Sequence, residues 1–154
     1  LEKPIQNEEF IMLTIKRLGC DDAQILMEGA RSKAAHIGVP MCIAITDESG
    51  NLIAFERMNG GKITSITIAQ DKAFTAAGAK KATHEYGSAS QPGSAAYGIN
   101  SAIGGRLMVV AGGLPVIIEG EVVGGIGLSS GMPAQDLACA QAGLEHFSNS
   151  MVQR

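Results

Sequence analysis

The sequence predicts an α+β domain in which five antiparallel strands carry helices on both faces. Three observations predict it. Apolar runs at Met41–Ile45 and Leu52–Phe55 flank Glu48-Ser49-Gly50-Asn51, which is turn chemistry between two strands. Two further reversals, Gly112-Gly113 and Glu119-Gly120, separate three apolar runs between 107 and 128, the pattern of an antiparallel meander. Three longer segments instead repeat their apolar or small residues at helical spacing.

In chain order, 1–20 is a charged, amphipathic lead-in, an N-terminal arm or short helix, with Phe10, Leu13, Ile15 and Leu18 on its apolar side. Asp21 or Asp22 caps the first long helix, which Ile25, Leu26, Ala30, Ala34 and Ile37 mark by their period. Gly38 closes it and Pro40 prevents its continuation. Strands follow at Met41–Asp47 and Leu52–Arg57, and Asn59-Gly60-Gly61 ends the hairpin. Thr64 or Ser65 caps a second helix whose Ala69, Ala73, Ala76 and Ala77 form a stripe of small residues, suited to close packing. Lys80-Lys81 complements the negative end of that helix. His84 to Asn100 reads as a short helix and a loop. Strands are predicted at Leu107–Ala111, Leu114–Ile118 and Glu121–Leu128. Pro133 fits the first turn of a final helix buried along Leu137, Ala140, Gly143, Leu144 and Phe147. No internal repeat or linker interrupts 1–154, so one domain is expected.

The stretch 119–131, EGEVVGGIGLSSG, places five glycines in thirteen residues of sheet-forming sequence. Glycine weakens a strand, so Gly124, Gly125 and Gly127 are expected where another backbone comes close, that of the terminal helix or of a neighbouring subunit. A phosphate cradle does not fit, because the run lacks the Lys-Ser/Thr ending of a P-loop. Gly127-Leu128-Ser129-Ser130-Gly131 matches the nucleophile-elbow pattern by letter, but that elbow belongs to a parallel sheet in a longer chain.

Composition narrows the classes. A hydrophobic fraction of 45% with 18% charged residues argues for a packed core and against disorder. A net charge of −3 without a basic run argues against nucleic acid, and no apolar run is long enough to cross a bilayer. Cys20, Cys42 and Cys139 have neither disulfide nor zinc spacing, so free thiols in the cytoplasm are expected.

Four stretches carry a resemblance. They are GVPMCIAITDESGNLIAFERMNGG at 38–61, IAQDKAFTAA at 68–77, QPGSAAYGI at 91–99 and GGLPVIIEGEVVGGIGLSSGMPAQD at 112–136. In this order, over about 38–147, the chain resembles the GlcG/HbpS family of haem-binding-like domains. It is also similar to the C-terminal domain of PduO-type cobalamin adenosyltransferases. The resemblance implies a profilin-like, roughly five-stranded sheet, oligomers, and haem binding in several members. Other members are associated with enzymes of small-carboxylate catabolism, so the fold does not fix the activity. The family usually has Thr ahead of the last helix's Pro, where this chain has Met132, so Ser130 or the backbone is expected to supply the missing cap.

Arg57 and Lys72 match charged positions of the resembling motifs. Together they suit a carboxylate, either a haem propionate or a small acid substrate. A lysine held against apolar surface also acquires a lowered pKa and can serve as base or nucleophile. The structural alternative pairs Lys72 with Asp71 or Asp47 and leaves Arg57 as a surface cap. Asp47 either bonds turn amides or orients Arg57 or Lys72. His84, which opens the glycine-rich loop, is the candidate axial ligand of a haem. His36 can complement its helix dipole, and His146 is expected on the surface. No HxxxH spacing occurs, so no metal site within the chain is expected. Tyr97 can present its hydroxyl to the same pocket, and Gln91 can line its rim.

Three functions follow from these residues. The first is an oligomeric binder of haem or a related tetrapyrrole, in a catabolic or redox-stress setting. The second is an isomerase, hydratase or deaminase of a small carboxylate, with Lys72, Asp47 and Tyr97 moving protons. The third is a structural accessory oligomer. None of them calls for a nucleotide or zinc, a nucleic-acid partner or a membrane.

Overall fold

β1 (Cys42–Asp47) is buried along its whole length, and its alternating side chains seed two apolar layers. Ile43 and Ile45 enter one, with Leu26, Ala30, Ile126 and Leu128. Cys42 and Ala44 enter the other, with Ala69 and Ala73. This is the computed structural model of the chain, and it describes residues 11–153.

β2 (Leu52–Arg57) returns along one edge of β1, with Ala44 opposite Phe55. The turn between them is held by Asp47, whose carboxylate accepts the backbone N–H of Ser49 at 2.9 Å and of Asn51 at 3.0 Å. β4 (Glu121–Ser129) takes the other edge of β1, with Ile45 opposite Ile126. β3 (Gly113–Ile118) forms a hairpin with β4. The sheet order is β2-β1-β4-β3 with every pair antiparallel.

Among the described residues four strands form rather than the predicted five. Leu107–Ala111 is not a strand, and Gly113 opens β3 instead of closing a turn. Threonine side chains, instead of a neighbouring strand, take up part of the backbone of this apolar run and its flanks. Thr75 donates to the Arg106 carbonyl at 3.1 Å and accepts the Met108 N–H at 3.0 Å. Thr83 donates to the Val110 carbonyl at 2.6 Å and accepts the Gly113 N–H at 3.0 Å.

α1 (Cys20–Ile37) and α5 (Pro133–Val152) lie side by side on the Ile43–Ile126 face. Gly29 sets their separation, since a Cβ there would lie 2.8 Å from the Ala142 carbonyl. α2 (Ser65–Ala79) covers the opposite face. Its approach explains the glycines of β4. A Cβ on Gly125 would strike the Ala73 carbonyl, and one on Gly127 the Ala69 carbonyl. The close neighbour of Gly125 and Gly127 is therefore α2 rather than the terminal helix, whereas a Cβ on Gly124 would strike the side chain of Leu18.

α3 (Thr83–Ala89) and the start of a 3-10 turn at Ile99–Ser101 fall in the segment expected to be a short helix and loop, and the short α4 (Ala102–Gly105) follows it. The expected N-terminal arm or helix falls partly on 1–10, outside the described residues. Over 11–19 no helix forms, and Leu18 is buried while its N–H donates to the Val123 carbonyl at 3.1 Å. Gly19 is the N-cap of α1, and Asp22 serves it from inside the helix by accepting the Gly19 N–H at 2.8 Å. At α5, Ser130 does not replace the missing cap, because its hydroxyl accepts the Lys62 N–H. Gln135 and Asp136 reach back instead, to the N–H groups of Met132 and Gly131.

Candidate functional site

Within the alanine stripe of α2, Lys72 is 1% exposed and is the bulkiest of the fully buried side chains. Its ammonium donates to Asp136 Oδ2 and to the Leu128 carbonyl, both at 2.8 Å. Asp136 stands in the first turn of α5, and its other oxygen accepts the Gly131 N–H at 2.9 Å. One buried ion pair thus ties α2, the end of β4 and the start of α5 together. Room for the ammonium comes from Gly112 at φ +121°, where a Cβ would lie 2.9 Å from Lys72 Nζ.

Burial pushes the Lys72 pKa down, against the pull of the Asp136 charge. Burial pushes the Asp136 pKa up, against the pull of Lys72. Both directions express the same cost of holding two charges away from water. Opposed shifts of this kind in a touching pair beside a cavity mark it as a candidate functional site.

The pair borders a cavity of about 250 Å³. Lys62, Thr64, Ser65, Ser129 and Ser130 give it a polar lining, and Ile68, Met108 and Val110 an apolar one. The hydroxyl oxygens of Ser65 and Ser129 are 3.0 Å apart, and both residues are buried.

Of the sequence-predicted residues, Lys72 alone lines this cavity. Arg57 is exposed at the end of β2, opposite Cys42 and beside Gly61. Asp47 spends its carboxylate on the β1–β2 turn and orients neither Arg57 nor Lys72. Asp71, the other expected partner of Lys72, pairs with Arg106 at 2.9 Å. Gln91 is exposed and its amide donates to the Gly87 carbonyl at 2.8 Å, within the turn that follows α3. Tyr97 is 69% exposed. His84 is exposed in the first turn of α3. His36 and His146 line a groove between α1 and α5, with His146 Nε2 3.6 Å from Glu28. Asp136 and Lys62 escaped sequence reasoning, and Ser65 and Ser129 were weighed only as a helix cap and within the elbow pattern. Asp136 reads locally as an acid complementing a helix dipole, and nothing local tells that it meets a lysine 64 positions earlier.

Among the described residues, no cluster of three or more His, Cys, Asp or Glu side chains is placed to hold a metal ion. A haem asks for one or two axial side chains, an apolar face and cations for its propionates. The cavity beside Lys72 is too small for the macrocycle. His84 adjoins Thr83, which is bonded to the Val110 carbonyl, and Val110, Ile103 and Tyr97 are exposed apolar side chains of the segment after α3. Lys62 is an exposed cation in the cavity lining, and Arg57 is exposed beside Gly61.

A family model described as haem degrading protein HbpS-like matches residues 18–145. The chain is 36% identical over 126 residues to a 15.0 kDa protein of the dhaT-dhaS intergenic region of Citrobacter freundii, covering 82% of this chain and 89% of that one. It is 37% identical over 119 residues to the corrinoid adenosyltransferase PduO of the same organism, covering 77% of this chain but 36% of the transferase. The solved structure of a PduOC:heme complex superposes with a TM-score of 0.81 at 33% identity, covering 84% of this chain and 94% of that one.

Proposed function

We propose, for a chain that belongs to the HbpS-like family, that it binds haem or a related tetrapyrrole at the surface beside α3. The observation that carries this reading is the close likeness to a PduOC domain solved with heme. The family description names haem degradation, and binding is the step on which the residues here bear. When bound, haem would supply its own iron chemistry. His84 would offer the axial nitrogen, with Tyr97, Ile103 and Val110 against the macrocycle and Gln91 at the rim. Arg57 and Lys62 would hold the propionates. Lys72 is withdrawn from that role, because its ammonium is buried and already paired.

The active form we propose is a homo-oligomer. Ile11, Met12, Leu13 and Ile15 precede α1 with 61–97% of their surface exposed, and a second copy would cover them. The antiparallel sheet between helical layers supports the profilin-like architecture that the family resemblance implies. The catabolic or redox-stress setting rests on that resemblance. A cytoplasmic location is supported by Cys42 and Cys139, both free and buried thiols.

Haemin titration followed by absorption tests the reading. A saturable Soret shift at one haem per chain or per pair is expected, lost in His84→Ala and kept in His36→Ala and His146→Ala. A featureless, non-saturating response would sink haem binding. An unchanged spectrum in His84→Ala would remove His84 as the axial ligand.

A further inference from the structure

We propose that the cavity beside Lys72 binds a small monocarboxylate bearing a 2-hydroxy or 2-oxo group, at a site that borders the proposed haem surface through Lys62 and Val110 but is centred on Lys72 and the Ser65–Ser129 pair. Its size admits a molecule of a few carbons and excludes a macrocycle. Two lysines, Lys62 and Lys72, face one aspartate, Asp136, so the lining carries one net positive charge. That balance suits a single carboxylate and disfavours a cation.

The donors are already in place. An ammonium has three N–H donors, and Lys72 commits one to Asp136 and one to the Leu128 carbonyl. The third serves a ligand oxygen. Lys62 adds a flexible charge at the mouth, where its side chain is exposed. The Ser65–Ser129 hydroxyl pair can both donate and accept, which matches a hydroxyl or oxo group next to the carboxylate. Ile68, Met108 and Val110 give a short alkyl group an apolar wall.

The burial of the pair also needs a reason. A buried lysine–aspartate pair is seldom more stable than apolar residues of the same shape. Here it stands at the edge of a cavity, where an ammonium and a carboxyl, each with its pKa displaced toward the neutral form, are useful to a ligand that carries charge and a transferable proton.

Isothermal titration with pyruvate and with lactate tests the site in the full chain. Saturable binding at one molecule per chain is expected for at least one of them. Lys62→Ala and Ser65→Ala, which leave the Lys72–Asp136 pair intact, should each weaken it roughly tenfold. The haemin response of Ser65→Ala should stay as in the parent, so this site and the haem surface succeed or fail separately. Absence of saturation with both acids would overturn the proposal. So would binding that Ser65→Ala leaves unchanged, or inorganic phosphate binding as tightly as the carboxylates.

Discussion

Lys72 has its ammonium between Asp136 and the Leu128 carbonyl, with almost no contact with water. Replacing it alone by methionine leaves Asp136 buried without its cation, a loss of about 3–5 kcal/mol. Replacing both partners, as in Lys72→Met with Asp136→Leu, removes the desolvation cost as well and should recover most of that stability. Urea unfolding of the single and double variants measures the difference. A lysine among alanines was legible as an anomaly in the sequence. Its partner was not, because 15 acidic residues were available and the one chosen lies on another helix. Glu48 is a second residue whose environment sets its chemistry. The Arg17 guanidinium holds its carboxyl down to about 2 from the usual 4.5. Its folded value is depressed, so its stabilisation is present above pH 4.5 and is lost as pH falls through about 2. NMR titration should place the Glu48 carboxyl near that value, and in Arg17→Ala return it toward the ordinary carboxylate range.

β4 and α2 meet backbone to backbone, and the glycines of the strand are the means. Gly127→Ala would drive a methyl group into the Ala69 carbonyl, an atom fixed in the helix ladder. A loss of about 2–3 kcal/mol or more is expected, read as a lower urea midpoint with an unchanged slope. The sequence showed that something approaches this strand, since glycines in a sheet cost stability. It could not name the partner, because the alanine stripe of α2 and the small residues of α5 suit close packing equally well. Leu107–Ala111 fails as a strand for a related reason. Its apolar run is real, and Leu107 is buried, but Thr75 and Thr83 bond the Met108 N–H and the Val110 carbonyl from helices. Strand pairing and side-chain bonding leave the same apolar run in the sequence.

At the scale of the molecule, the continuous apolar run of β1 and the helical periods were legible, so a sheet with helices on its faces was too. The site was legible only in part, since it joins α2, the end of β4, the 108–112 segment and the first turn of α5. No helix among the described residues is long and apolar enough to cross a membrane. The two ligand surfaces differ in character. One is a small charged cavity bordered by a buried ion pair, and the proposed haem surface would set exposed apolar side chains beside His84. Hydrogen–deuterium exchange with and without haemin tests the central claim, that haem binds beside α3, most directly. The account predicts slowed exchange over 83–110, with α1 and the C-terminal half of α5 unchanged. Protection centred instead on the His36–His146 groove, or no protection anywhere, would contradict it.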